Sequence, residues 1–175
     1  MTSWRERLFL LQEDITAMDT DVIVNAANEE LRRGGGVCGA IHEAAGPGLA
    51  RECDDIGFCA TGEAVATGGY DLPAEHVIHT VGPIWGAGAG DEEDELLAAC
   101  YRESLALCAD LGHTSIAFPS ISTGTYGFPV GRAAAVAMAA IREGLDENPD
   151  IAEVRFCCFS AGDLDVYEAA LADSV

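Results

Sequence analysis

Two asparagines close a short apolar run, Val22-Ile-Val-Asn-Ala-Ala-Asn28, and the stretch Gly34-Gly-Gly-Val-Cys-Gly-Ala-Ile-His42 follows shortly after. A strand that ends in amides and passes through glycines into a helix of small residues can set backbone N–H groups against an anionic ligand. Gly34, Gly35 and Gly36 allow close approach of the chain; plain loop flexibility is the simpler reading of the same residues. The chain contains no lysine, so the phosphate-loop pattern GxxxxGK[ST] is absent. An anion at this loop must be held by backbone, by amides and by a helix end rather than by a point cation.

Cys38 and His42 are one helical turn apart and share a face. Cysteine beside histidine admits a nucleophile–base reading; a hydrogen-bonded helix histidine near the site is the plainer one, and no third residue is evident to orient the base. Asp14 comes just after the strand predicted at 7–12. Its carboxylate can accept from an N–H₂ group of a ligand, or it can cap the turn at Ile15-Thr16. Asn25 and Asn28 are read either as site amides or as turn formers that satisfy their own backbone. A second glycine-rich loop, Ser120-Ile-Ser-Thr-Gly-Thr-Tyr-Gly-Phe-Pro129, carries Ser122, Thr123, Gly124, Thr125 and Tyr126. Phe128 is assigned to the core, and Phe159 either to an aromatic contact with a ligand or to the core. His76, His79 and His113 show no metal-ligand spacing, and His79 reads as a satisfied core histidine.

The elements that must position these residues alternate. Strands are predicted at 7–12, 21–24, 75–81, 115–119 and 154–159, with a weakly alternating stretch at 62–70. Helices are predicted at 39–53, where Pro47 and Gly48 are set to break or kink the element, and at 94–111, 131–145 and 163–171. The segment 86–95 is glycine-rich and then acidic, and is read as an exposed loop. Strands alternating with helices predict an α/β fold with a largely parallel sheet, whose ligands sit beyond the carboxyl ends of the strands. Both glycine-rich loops follow strands and open on that edge.

A length of 175 residues and a hydrophobic fraction of 49% fit one domain, 1–175, with a sizeable core. No apolar run approaches the roughly 18 residues of a membrane span, and the apolar part of the N-terminus is too short for a signal peptide. The expectation is a cytoplasmic monomer without a membrane partner. The seven cysteines are odd in number and form no CxxC pair, so reduced, buried thiols are expected rather than disulfides or a zinc site. Thirty acids against nine arginines give a formal net charge of −21. That balance disfavours nucleic-acid binding through a basic face and suggests a halophile's protein, in which salt screens the self-repulsion; a high-GC genome with ordinary acidity is the alternative, and it explains arginine in place of lysine but not the acidic excess.

In order along nearly the whole chain, Glu13-Asp-Ile-Thr16, Val24-Asn-Ala-Ala-Asn28, Gly34 to Gly46, Thr61-Gly62, Gly69-Tyr-Asp-Leu-Pro73, Val77 to Pro83 and Ala117 to Pro129 resemble the macro domain family, in particular its MacroD type. The resemblance implies a three-layer α/β/α domain with a central mixed, largely parallel sheet that binds ADP-ribose. It further implies hydrolysis of ADP-ribosyl esters on acidic side chains or of O-acetyl-ADP-ribose, without a cofactor or metal. Carried over position by position, Asp14 accepts from the adenine amine with the Ile15 backbone nearby, and Phe159 lies against the adenine. Gly34, Gly35, Gly36 and Val37 face the ligand, Asn28 meets the distal ribose with Asn25 in support, and Ser122 to Gly127 hold the diphosphate. Tyr126 packs on the distal ribose. The chain departs from the pattern at Cys38, where MacroD-type hydrolases usually carry an aspartate that helps activate water. A neutral thiol cannot hold water as a carboxylate does. Three readings stay open: hydrolysis assisted by the substrate's phosphates and Asn28, a slower or differently directed hydrolase, or a non-catalytic ADP-ribose reader.

Overall fold

The alternating pattern folds into a six-stranded sheet of order β1-β6-β5-β2-β4-β3. The computed structural model describes residues 2–174. The strands are β1 (Leu8–Leu11), β2 (Val22–Ala26), β3 (Ala64–Gly68), β4 (His76–Thr80), β5 (Ser115–Pro119) and β6 (Glu153–Cys157). Every pairing is parallel except β3 with β4, which is antiparallel. The sheet is therefore mixed and largely parallel, as expected.

Period-two alternation divides the core between two faces. Val22, Val24, Ile116, Phe118, Val154 and Phe156 face a layer built from α3 (Asp91–Asp110), α4 (Val130–Glu147) and α5 (Ala161–Asp173). Ile23, Val77 and Ala117 face α1 (Gly36–Ala45) and α2 (Pro47–Ile56) through Ile41, Leu49 and Cys53. The result is the expected α/β/α sandwich. All seven cysteines are free and buried. Desolvation pushes Cys53 to about 11 and Cys108 to about 12, which keeps these thiols neutral as small hydrophobes.

Two boundaries differ from the sequence reading. The helix expected over 39–53 is two helices, broken at Gly46, whose φ of +85° suits only glycine, with Pro47 opening α2. Its first half also starts earlier, at Gly36. Helix α3 begins at Asp91, three residues before the expected start, so the acidic half of segment 86–95 belongs to the helix and not to the loop. Asp91, Glu92, Glu93 and Asp94 there oppose the positive end of the helix dipole. The Glu93 carboxylate accepts the Gly90 N–H at 2.8 Å. Among the described residues no helix is long and apolar enough to cross a membrane.

Candidate functional site

Parallel strands that all end on one edge leave their following loops facing one another. Here those loops enclose a cleft of about 1030 Å³, at the upper end of the usual range for small-molecule sites. Its wall is drawn from the segment after β1 (Gln12 to Ile15), the end of β2 with its glycine loop and α1 (Ala26 to Asn28, Gly34 to Cys38), Gly82 after β4, the loop after β5 (Pro119 to Tyr126), and Cys157 to Phe159 after β6. No lining residue is basic.

The donors are backbone groups. Helix α1 starts at Gly36 with no side-chain cap, so its first-turn N–H groups are left for a ligand. Across the cleft, the loop after β5 is shaped by Gly127 N–H donating to Gly124 and Phe128 N–H donating to Ser122, both at 2.9 Å. Ser122 itself stands at φ +67°, a left-handed conformation uncommon outside glycine and frequent at functional sites. It is buried, and its Oγ has no partner among the described residues. Gly82 must be glycine for this packing, since a Cβ there would stand 2.1 Å from Ser122 Oγ.

Asp14 does two things at once. Its Oδ1 accepts the Thr16 N–H at 2.9 Å and the Thr16 hydroxyl at 2.7 Å, capping a short 3₁₀ turn over Ile15–Ala17. Its Oδ2 has no such bond among the described residues, and Asp14 lines the cleft together with buried Ile15. Phe159 is 94% exposed on the cleft rim, so the core alternative for it falls away. Phe128 is buried against Trp85, ring centroids 4.7 Å apart.

At the other end Asn28 is both turn former and cleft residue. Its Oδ1 accepts the Arg32 N–H at 2.9 Å and its Nδ2 donates to the Arg32 carbonyl at 2.8 Å. One Nδ2 hydrogen is left over for a ligand. Cys38 is buried in the same wall, its thiol 3.7 Å from the Arg32 carbonyl. Tyr126 lines the same cleft, and burial first, then the Glu29 and Glu30 charges, raises its phenol above the usual range.

Asn25 does not line the cleft. It stands behind it, fully buried, with Nδ2 3.7 Å from Cys38 Sγ and 3.0 Å from His79 Nδ1. His42, paired with Cys38 in the sequence as a candidate base, is also not a lining residue. It is buried on α1, and desolvation, then the Arg33 charge, hold its pKa below the usual range. It faces inward because its position on α1 belongs to the buried stripe of that helix, so of the two readings the nucleophile–base pair falls away and the plainer one, a helix histidine near the site, stands. Gln12, Glu13, Gly82, Pro119, Ser120, Ile121, Cys157, Cys158 and Asp163 were not singled out from sequence, although most directly follow strands and strand ends were the available signal.

A three-layer domain whose sheet edge opens into one nucleotide-sized cleft with uncommitted backbone donors is an α/β/α ligand-binding domain. The macro domain model matches residues 24–137. A macro domain-containing protein of Chlorobaculum tepidum is 57% identical over 162 residues, covering 93% of this chain and 94% of that protein. One from Methanosarcina mazei is 52% identical over 155 residues, covering 89% and 82%. Among solved structures, the Oceanobacillus iheyensis macrodomain with ADP superposes with a TM-score of 0.89 at 46% identity, covering 93% of this chain and 88% of that one. The Trypanosoma brucei macrodomain in complex with ADP-ribose superposes with a TM-score of 0.88 at 40% identity, covering 94% and 69%. The chain belongs to the macro domain family.

Proposed function

We propose that the protein binds ADP-ribose in this cleft and hydrolyses ADP-ribosyl esters on acidic side chains, or O-acetyl-ADP-ribose, by a metal-independent, substrate-assisted route. The observation that carries the reading is the facing pair of donor sets, the open first turn of α1 and the loop over Ser122 to Tyr126, in a wall without a basic residue. A diphosphate between them is held by N–H groups that need no counter-cation. Asp14 Oδ2 then takes the adenine amine, with Phe159 against the base, and the distal ribose reaches Asn28 and Tyr126. That solved relatives carry ADP and ADP-ribose supports the choice of ligand.

For the chemical step, the ligand's phosphate oxygens and the Asn28 amide hold water at the reacting carbon, while the loop N–H groups stabilise the developing negative charge. Cys38 is not the nucleophile in this scheme, since neither a base nor an orienting group is presented to it. A second reading, a non-catalytic reader of ADP-ribose, is favoured by one feature: the cleft wall at 38 holds a thiol instead of a carboxylate. Calorimetric titration with ADP-ribose, run beside a hydrolysis assay on glutamate-linked ADP-ribosyl protein, separates them. Binding with turnover is expected; binding without turnover establishes the reader, and no binding at millimolar ligand defeats both.

A further inference from the structure

The sheet edge opposite the cleft carries a second cluster. Asp21 precedes β2, Glu75 precedes β4 and His113 precedes β5, and these strands are neighbours in the order β5-β2-β4. Topology thus brings together residues that are far apart in the chain. A carboxylate oxygen from each acid and a ring nitrogen of His113 lie within 4.8 Å of one another.

The scaffold beneath them is tied down. The Asp21 carbonyl accepts the N–H groups of Glu75 at 2.9 Å and His76 at 3.2 Å. Asp21 Oδ2 accepts the N–H groups of Thr114 at 3.0 Å and Ser115 at 3.3 Å.

The imidazole is oriented as well. His113 and His76 share a hydrogen bond of 2.8 Å between His113 Nε2 and His76 Nδ1. When His113 donates in that bond, its neutral ring turns the bare Nδ1 lone pair toward the carboxylates. Nδ1 stands 3.6 Å from Glu75 Oε2, too far for a hydrogen bond. Three acceptors then converge, and among the described residues the donors that reach the two carboxylates, the Thr114 and Ser115 N–H groups and the Thr114 hydroxyl, all go to Asp21 Oδ2, so a cation relieves the arrangement. A histidine whose far nitrogen is fixed by a second group is the usual form of a metal-binding imidazole.

We propose that Asp21, Glu75 and His113 bind a divalent transition-metal ion of the zinc class, with His76 as the positioning residue for His113. One nitrogen and carboxylate oxygens suit such an ion better than Mg²⁺, which prefers oxygen donors and retains its waters. Ligand atoms on one tetrahedral zinc stand about 3.3 Å apart, so the cluster must tighten. Glu75, with a side chain 71% exposed, is free to swing in. The bound ion staples three strand starts together, and the site is independent of the cleft and of the function proposed for it.

The test is equilibrium dialysis of the whole chain against ZnCl₂ in molar KCl, which screens loose cation condensation on the acidic surface. One saturable equivalent with micromolar affinity is expected, and zinc at about 100 times its dissociation constant raises Tm by about 5 °C or more. Glu75→Gln, a substitution at an exposed side chain, and His113→Gln each weaken zinc binding at least about tenfold, and His76→Ala about tenfold. Cys38→Ala leaves it unchanged, and Mg²⁺ at the same concentration leaves Tm where it was. Absence of saturable binding, full affinity in both Glu75→Gln and His113→Gln, or loss of binding in Cys38→Ala alone overturns the proposal.

Discussion

His79 Nδ1 accepts a hydrogen bond from Asn25 Nδ2 at 3.0 Å, and its Nε2 lies 2.9 Å from the Thr67 hydroxyl, which donates to the Gly68 carbonyl at 3.1 Å. The three bonds fix the ring as the neutral Nε2–H tautomer. They also link the antiparallel edge of the sheet, through Asn25, to Cys38 in the cleft wall. Among the described residues no acceptor faces a second ring proton, and burial lowers the His79 pKa to about 4.

This relationship sets a pH dependence of stability. Unfolded, the histidine titrates near roughly 6.5. Between that value and about 4 the unfolded chain binds the proton and the folded chain does not. Stability is therefore full above the unfolded value and falls as pH falls through this window. From the two pKa values, His79 contributes a loss of about 2 kcal/mol between pH 7 and pH 5. Urea denaturation of the wild type and of His79→Gln at both pH values checks this. The variant is less stable at neutral pH but is spared that loss on acidification; equal slopes in the two proteins would show that His79 does not carry the effect.

Asp14 separates capping from recognition. Asp14→Ala removes the Oδ1 cap of Thr16, costing about 1 kcal/mol of stability. It also removes the free Oδ2, weakening ADP-ribose binding by about 1–3 kcal/mol. Asp14→Asn keeps an oxygen for the cap but turns an N–H₂ group toward the adenine amine. It is expected to retain the wild-type melting temperature while losing as much affinity as the alanine variant. Calorimetry and thermal melts on both proteins decide the matter: wild-type affinity in Asp14→Asn would take the adenine away from this carboxylate.

Most of this frame was legible in the sequence, because most strands are short apolar runs and most helices spaced apolar stripes, and these patterns are local; β3, Ala-Val-Ala-Thr-Gly, alternates only weakly. The cleft wall was legible for the same reason, since glycine-rich loops directly follow strands. What the sequence hid was direction and convergence. His42 shares a helix face with Cys38, but only the packing of α1 on the sheet reveals that this histidine is turned away from the ligand. Asp21, Glu75 and His113 show no spacing at all, and only the strand order brings them together. Gly82 sat in view within the Val77 to Pro83 segment, yet its contact with Ser122 is between distant loops.

The acidic surface makes a prediction about salt. A net charge of −21 with no lysine leaves arginines to do all the pairing by side chains that are permanently basic, as in the two-pronged Arg132–Asp94 contact at 2.7 and 2.8 Å. Such exposed pairs contribute little and do not offset the repulsion among the remaining acids. Melting temperature should rise with KCl, most steeply between about 0.01 and 1 M, where the Debye length contracts from about 30 to about 3 Å. A melting temperature flat across that range would remove the halophile inference.

Position 38 is where the catalytic reading is most exposed to test. Residue 38 is the third residue of α1, where a carboxylate opposes the helix dipole. The Asn25 Nδ2, 3.7 Å from the thiol, is a ready donor to it. Cys38→Asp is therefore expected to fold and to raise the initial rate of ester hydrolysis, because it restores an acceptor that can hold water. Cys38→Ala should keep most of the wild-type rate, since the thiol is no nucleophile in the proposed scheme. Asn28→Ala should lower the rate about tenfold or more, because it loses both the ribose contact and the two Arg32 bonds that shape the turn. Initial rates of the three variants on one ester-linked substrate, with ADP-ribose affinity measured beside them, are the decisive data. Loss of activity in Cys38→Ala at unchanged affinity, or a covalent adduct on Cys38 by intact mass, would make the thiol catalytic and overturn the substrate-assisted route.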